Sequence, residues 1–210
     1  MALKILVTSD FHAKEDLKEA AIEEANSGEY DLFLNLGDYM DEDYAEELFK
    51  EIEIPGLGTT GNRDMMFSED FIQGDDVPVY DFLEADIDDK YLLVLIGGDF
   101  PDDVKQQFEE LVEDHDADKV IVGSHYPPHK LGDRIHSGRR IGFEQFREMI
   151  LKERPALWMN GHVHEDFGQN SLLGTEVLNA AGEETGKAYS VTIGDEGGVE
   201  EVEEVTLVDY

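Results

Sequence analysis

The chain has 210 residues, enough for one sizeable α/β domain with a full hydrophobic core, and we expect a single domain over residues 1–210. It contains no cysteine, which excludes disulfides and thiolate metal sites, and it has no apolar run long enough to cross a bilayer. The N-terminus lacks the layout of a signal peptide, so the sequence predicts a cytoplasmic protein that does not interact with membranes.

The charge is strongly unbalanced. Asp and Glu number 51 against 16 Lys and Arg, which gives a formal net charge of −35. The acidic residues are spread along the whole chain, as in halophilic proteins, where molar salt with a Debye length of about 3 Å screens their repulsion. An acidic protein that binds basic partners is the alternative. Nucleic acid is a disfavoured partner, because phosphate contacts require clustered Lys and Arg.

The first third of the chain alternates between short apolar runs and amphipathic segments. Strands are predicted at residues 3–8, 31–36 and 54–60, and helices at 14–26 and 43–49. This alternation implies parallel strands joined by right-handed crossovers. In such sheets the functional groups gather beyond the carboxyl ends of the strands.

The rest of the chain is richer in strands, and its acidic segment at residues 84–89 is predicted as a turn. A loop is expected at 130–141, and glycines mark the turns towards the C-terminus. The predicted helices are 102–113 and 143–153, and the predicted strands are 77–82, 90–96, 119–122, 156–159, 172–173, 176–178, 189–193 and 199–208.

Five of the predicted strands are followed by residues that commonly bind metals. These residues offer only oxygen and nitrogen atoms, which suit divalent Mn, Fe, Co, Ni or Zn. They are too many for one ion and enough for two. Each has a structural alternative as well: a helix cap for an Asp, a turn for the Asn, a core position for a His. The residues are Asp10, His12, Asp38, Asn62, His125, His162 and His164.

These strand ends resemble the motifs of the calcineurin-like metallophosphoesterase superfamily, and of its small archaeal and bacterial phosphodiesterase-like branch in particular. The resemblance implies a four-layer α/β/β/α sandwich of two mixed β-sheets. The matching segments are Ser9-Asp10-Phe11-His12, Gly37-Asp38-Tyr39-Met40-Asp41, Gly61-Asn62-Arg63-Asp64, Gly123-Ser124-His125 and Gly161-His162-Val163-His164.

The resemblance also implies a reaction. A hydroxide between two metal ions, most simply Mn²⁺, would attack the phosphorus of a small phosphodiester or phosphomonoester in line. Asp38 would bridge the ions, and Asp38, Asn62, Arg63 and His125 would form the catalytic set. The first ion would be bound by Asp10, His12, Asp38 and His164, and the second by Asp38, Asn62, His125 and His162.

Two departures from the family pattern narrow the expected activity. Arg63 stands where many members have a histidine; it can bind phosphate oxygens but is a poor general acid. The sequence therefore favours substrates with a good leaving group, or another acid such as His129 or His136. Glu42-Asp43 stands where protein Ser/Thr phosphatases have Arg-Gly, which disfavours that activity.

The segment 129–140 is the only locally basic stretch of the chain. Arg63, His129 and His136 are our candidates for substrate binding, with a solvated loop as the alternative interpretation of the segment. A metal-binding scaffold for protein interactions is the alternative function, and a nuclease is a weaker third. Association into a homo-oligomer is left open by the sequence.

Overall fold

The structure is a computed structural model that describes residues 2–72 and 77–210. Its strands are β1 (Leu3–Thr8), β2 (Leu32–Asn35), β3 (Gly56–Thr59), β4 (Val79–Tyr80), β5 (Phe82–Ile87), β6 (Tyr91–Ile96), β7 (Val120–Ser124), β8 (Leu157–Asn160), β9 (Gly168–Leu172), β10 (Thr175–Asn179), β11 (Lys187–Ile193) and β12 (Val199–Thr206). Its α-helices are α1 (Glu15–Ala25), α2 (Glu42–Glu51), α3 (Glu69–Ile72), α4 (Val104–Val112) and α5 (Glu144–Glu153).

The strands form two mixed sheets. The first has the order β12-β11-β1-β2-β3-β4, in which β1 to β4 are parallel and β11 runs antiparallel to β1. The second has the order β5-β6-β7-β8-β10-β9, with a parallel centre and antiparallel edge strands β5 and β9. Parallel strands place their carboxyl ends at the same edge of a sheet, which determines where the site lies.

Three hydrophobic cores separate four layers. Alternate residues of β1 explain the pattern: Ile5 and Val7 pack between the two sheets, whereas Leu6 faces the helices. Both faces of the central strands are buried, so they read as continuous apolar runs. Helices α1 and α2 cover the first sheet, and α4 and α5 cover the second, where Phe108 and Phe146 pack on Trp158. The predicted α/β/β/α sandwich is confirmed.

The predicted elements of the first third are also confirmed, with ends within two residues of those observed. The acidic turn predicted at 84–89 is confirmed only at residues 88–89, because β5 continues to Ile87. Glu84 and Asp86 are exposed while Ala85 and Ile87 are partly buried, so this edge strand carries its carboxylates on the solvent side. Leu173 was predicted in a strand and lies instead in the turn between β9 and β10.

The two sheets meet at the edge where their parallel strands end. The backbone N–H of Gly98, after β6 of the second sheet, donates to the carbonyl of Thr60, after β3 of the first (2.7 Å). Ser9, after β1, forms an isolated bridge with Ala181, after β10. In residues 2–72 and 77–210, no helix is long and apolar enough to cross a membrane.

Candidate metal centre

The loops at this edge hold several predicted ligands in a left-handed backbone conformation. The φ angles are 57° at Asp10, 48° at His12, 64° at Asp38 and 69° at His162. Such angles cost non-glycine residues roughly 1 kcal/mol each and persist where surrounding contacts enforce them. Here the N–H of Asp10 donates to the carbonyl of Gly37 (2.9 Å), and the N–H of His12 donates to that of Asp38 (3.0 Å). Because strained backbone clusters at functional sites, this loop is a candidate site.

The first group of possible ligands consists of Asp10, His12 and His164. Nε2 of His164 lies 3.1 Å from Oδ1 of Asp10, and Nε2 of His12 lies 3.9 Å from the same oxygen. The other oxygen of Asp10 accepts hydrogen bonds from Oγ of Ser9 (2.6 Å) and from the N–H of His162 (2.9 Å). The carboxylate is therefore fixed through one oxygen and presents the other to the histidines.

The second group consists of Asp10, Asp38 and His125, all buried. Oδ1 of Asp38 accepts from the N–H of Arg63 (2.8 Å) and lies 3.5 Å from Nε2 of His125. Its Oδ2 lies 3.0 Å from Nε2 of His12. Asp38 thus faces histidines of both groups with its two oxygens, and Asp10 belongs to both groups.

Asn62 lies beside His125, a member of this second group. Nε2 of His125 lies 3.0 Å from Oδ1 of Asn62, and its Nδ1 lies 2.9 Å from the backbone carbonyl of Leu36. A carbonyl can only accept, so Nδ1 carries the proton and Nε2 points towards Asp38 and Asn62. The backbone immediately after β2 therefore sets the orientation of this imidazole.

The two histidines of the last motif, His162 and His164, have different surroundings. His164 is a member of the first group, but His162 is in neither group among the described residues. The ring of His162 packs edge-on against His125 (5.2 Å between centroids) and Tyr126 (4.7 Å). Burial and the neighbouring His125 lower the pKa of His162 to about 4, so its imidazole stays neutral and able to bind a metal at neutral pH.

Glu183 joins the two histidines of the first group. Its Oε2 lies 2.8 Å from Nδ1 of His12 and 2.8 Å from Nδ1 of His164. We did not predict this residue from the sequence. It follows Ala180-Ala181-Gly182 beyond the end of β10, so the rule that found the other strand ends would also have found it.

The buried carboxylate of Asp64 stabilises the loop that bears Asp38. Asp64 accepts hydrogen bonds from the N–H groups of Asp38 (2.7 Å), Met40 (2.9 Å) and Gly61 (2.7 Å). Burial raises its pKa even though these hydrogen bonds favour the charged form. Asp64 therefore ties the end of β2 to the end of β3 and fixes the position of Asp38.

In the first group, burial and the neighbouring charges act on the pKa values in opposite directions. Burial alone lowers the pKa of His12, but the hydrogen bond to Asp38 and the charges of Asp10, Asp38 and Glu183 raise it above 6.5. The pKa of His164 is raised above 6.5 in the same way, by its hydrogen bond to Asp10. Burial would raise the pKa of Asp10, but its contacts with His164 and His125 hold it well below the usual value.

The donor set fits divalent metal ions. The donor atoms of each group lie within 4.8 Å of one another, which suits ligands arranged around one ion. Two glycines permit this approach: a Cβ at Gly61 would collide with the Asp38 carboxylate, and one at Gly161 would collide with Asp10. The oxygen and imidazole donors suit Mn, Fe, Co, Ni or Zn, as the sequence predicts.

Within the part of the chain that the structure describes, the predicted substrate-binding residues are not members of either group of possible ligands. Arg63 is exposed, and its N–H contacts Asp38. His129 lies between Asp133 (3.4 Å) and Glu144 (3.2 Å). The side chain of His136 is 77% exposed and lies 3.8 Å from Glu165.

The basic loop at 129–140 is organised by an acidic residue. Buried Asp133 accepts from Nη1 of Arg140 (2.5 Å) and from the N–H of Lys130 (2.9 Å). Arg140 is therefore engaged inside the loop, whereas Arg134 and Arg139 have exposed side chains.

The sequence profile described as calcineurin-like phosphoesterase matches residues 3–166, which contain all the predicted ligands. The chain belongs to the calcineurin-like phosphoesterase family. This confirms the resemblance drawn from the five motifs. A search of curated protein sequences finds no match to this member of the family.

Solved structures share the fold over nearly the whole chain. Protein TT1561 of Thermus thermophilus has a TM-score of 0.71 at 14% identity, over 99% of this chain and 100% of that one. A structure described as a novel archaeal phosphodiesterase has a TM-score of 0.60 at 18% identity, over 97% and 99%. GAP50, described as the anchor in the inner membrane complex of Plasmodium, has a TM-score of 0.61 at 11% identity, over 99% and 90%. At these identities the similarity shows the fold alone.

Proposed function

We propose that this member of the calcineurin-like phosphoesterase family is a metal-dependent hydrolase of a small phosphodiester or phosphomonoester. The observation that carries the proposal is the pair of neighbouring groups of carboxylates and imidazoles at the edge where both sheets end, with Asp38 directed at His12 of the first group and His125 of the second. Overlapping ligand groups are the arrangement that a dinuclear centre needs. The archaeal phosphodiesterase of similar fold supports the choice of phosphodiesters.

Two ions would be held by the residues of the five motifs. Asp10, His12, Asp38 and His164 would bind the first ion, and Asp38, Asn62, His125 and His162 the second, with Asp38 shared between them. Mn²⁺ is the proposed metal, because oxygen-rich sets with imidazoles accept it readily. When bound, such a pair lowers the pKa of a coordinated water and neutralises charge on a phosphoryl group.

The chain's own residues then have distinct tasks. Asp38 keeps its two oxygens directed at different histidines, because the Arg63 N–H fixes one oxygen and Asp64 fixes the backbone. The exposed guanidinium of Arg63 can bind two phosphoryl oxygens in parallel and orient the phosphorus for in-line attack. Arginine does not release a proton near neutral pH, so departure of a poor leaving group would be slow.

A protein-interaction scaffold with little catalysis is the second candidate. It is favoured by the similar fold of GAP50, which is described as an anchor. The two candidates differ in what they need from the site, because a scaffold has no use for complete ligand groups. Every motif residue that would bind a metal is intact here, which favours the enzyme.

We also propose that the protein is cytoplasmic and adapted to high salt. The support for the salt adaptation is the net charge of −35, with acidic residues distributed over the whole chain. At such charge density, self-repulsion destabilises the compact state until salt screens it. The reaction should therefore be assayed in molar KCl.

The test begins with metal content. Protein purified in molar KCl and loaded with Mn²⁺ should contain two ions per chain and hydrolyse bis(p-nitrophenyl) phosphate, and EDTA should remove the activity. A panel of phosphomonoesters, alkyl diesters and nucleotides would then define the substrate class. If the fully loaded protein turns over none of these esters, the enzymatic proposal fails and the scaffold remains.

A further inference from the structure

We propose that Glu183 is a positioning residue for the first metal ion, and that it sets the tautomer and orientation of both His12 and His164. The inference rests on the proposed function, since it assigns a role towards a bound ion. Glu183 lies outside the five motifs and outside both groups of possible ligands in the described part of the chain.

The contacts of the two imidazoles carry the inference. One oxygen of Glu183, Oε2, lies 2.8 Å from Nδ1 of each ring. The opposite nitrogens, both Nε2, face Asp38 (3.0 Å) and Asp10 (3.1 Å). The rings lie 4.8 Å apart, inclined at 62°. Each ring therefore has its Nδ1 directed at one shared carboxylate and its Nε2 directed at the ligand carboxylates.

A metal ion can take only a nitrogen that has no proton. A carboxylate accepts hydrogen bonds, so Glu183 keeps the proton on Nδ1 and leaves Nε2 to bind the ion. The negative charge also makes the imidazole a more basic ligand, as in other carboxylate–histidine–metal arrangements. A single side chain performs this task for two ligands of the same ion.

Glu183 is itself held against the loop that bears these ligands. The N–H of Gly182 donates to the carbonyl of Ser9 (3.0 Å), next to Asp10. Nζ of Lys14 donates to the backbone carbonyl of Glu183 (2.7 Å). The side chain of Glu183 is 26% exposed, so it is screened from water by the rings that it contacts. These backbone contacts tie the segment that bears Glu183 to the loop that bears Asp10 and His12.

The same turn offers a matched control. Glu184 is the next residue, is exposed, and carries the same charge, so Glu184→Ala changes the net charge as Glu183→Ala does without touching the rings. Glu183→Gln is the conservative variant, because its amide oxygen can still accept from Nδ1 while the charge is lost. It also keeps the test available if Glu183→Ala does not fold, as judged by circular dichroism.

The experiment is a calorimetric titration of Mn²⁺ into metal-stripped protein in molar KCl. For Glu183→Ala we expect about 10–100-fold weaker affinity at one of two sites, with the other unchanged. Glu183→Gln should weaken the Mn²⁺ affinity of that site by a smaller factor, and Glu184→Ala should bind Mn²⁺ with wild-type affinity at both sites. In the Zn²⁺-loaded protein, two-bond ¹H–¹⁵N spectra should show His12 and His164 protonated at Nδ1 in the wild type, and mixed tautomers in Glu183→Ala.

Two results would overturn the inference while leaving the proposed function intact. One is a Glu183→Ala variant that binds both ions with wild-type affinity and keeps both tautomers. The other is an equal loss at both sites, which indicates a general effect of charge or folding. If the wild-type protein binds no metal, both the proposed function and this inference are contradicted.

Discussion

The two groups of possible ligands are anchored by different means. In the second group, Nδ1 of His125 is held by a backbone carbonyl, that of Leu36. In the first, Nδ1 of His12 and of His164 is held by a side chain, that of Glu183. A backbone carbonyl is fixed by the fold and is present whatever the side chain, whereas a carboxylate can be removed by one substitution. The first ion should therefore be the one whose affinity is easily tuned.

The largest expected effect is that of removing the residue that faces both groups. Asp38→Asn should reduce hydrolysis of an aryl diester by well over the roughly 100-fold typical of residues outside the ligand shell. It should also weaken both metal sites, because both oxygens of Asp38 face histidines. Steady-state kinetics and calorimetry would check this. Asp43→Asn, which changes an exposed carboxylate nearby, is the control; equal behaviour of the two variants would contradict the prediction.

Single histidine changes should separate the groups. His125→Asn should abolish the second site and keep the first, and His164→Asn should do the reverse. Each should lower activity by more than about 100-fold, because two ions are needed for the reaction. Metal content by mass spectrometry should fall from two ions to one in each variant. Loss of both ions in either variant would mean that the groups do not bind independently.

Arg63→His tests the missing general acid. A histidine here could protonate the leaving group, and general acids typically contribute about 10²–10⁴-fold. We expect alkyl diesters to be hydrolysed about tenfold faster or more, within that range, and aryl diesters to change little. The measurement is the dependence of kcat/KM on the leaving-group pKa. An unchanged dependence would show that the proton comes from elsewhere.

The pH dependence of metal binding should also differ between the groups. The raised pKa values of His12 and His164 favour their protonated forms more than in an ordinary histidine, and these protons must leave when an ion binds. Affinity at the first site should therefore fall as pH decreases, by up to about tenfold per pH unit for each proton displaced. His162, with a pKa of about 4, releases none near neutrality. Calorimetry in buffers of different ionisation enthalpy would count the protons; equal release at both sites would refute the difference.

The same shifts affect protein stripped of metal by EDTA. A histidine whose pKa is raised by folding stabilises the folded state below its unfolded pKa, near 6.5. This contribution is lost as pH rises through the folded pKa. The lowered pKa of His162 acts in the opposite sense. The free energy of unfolding falls as pH falls from 6.5 towards 4, because the unfolded state takes up the proton before the folded state does.

We expect no difference between the groups in how salt changes the melting temperature. Surface repulsion does not distinguish the two groups, so molar KCl should raise the melting temperature of the wild type and of Glu183→Ala alike, by several degrees. Differential scanning calorimetry of metal-stripped protein would measure this. A melting temperature independent of salt would contradict the proposed halophilic adaptation.

Sequence patterns predicted the central strands, because these are buried on both faces and therefore appear as apolar runs, whereas the resemblance to the family implied the sandwich. The edge strand β5 was mispredicted, since Glu84 and Asp86 reach solvent and resemble a turn. Asp10, His12, Asp38, Asn62, His125 and His164 come together as expected from their strand ends. The ring of His162 lies apart, against Tyr126. Glu183 was missed although it also follows a strand end, that of β10, because this strand end lies outside the five motifs.

The left-handed residues at the site have a consequence for evolution and engineering. Four predicted ligands adopt φ angles that glycine or asparagine tolerates better, which amounts to a few kcal/mol of backbone strain in total. At these positions a substitution can stabilise the fold while destroying the metal site. Variants selected for thermal stability alone should accumulate changes at Asp10 and Asp38, and variants selected for turnover should not.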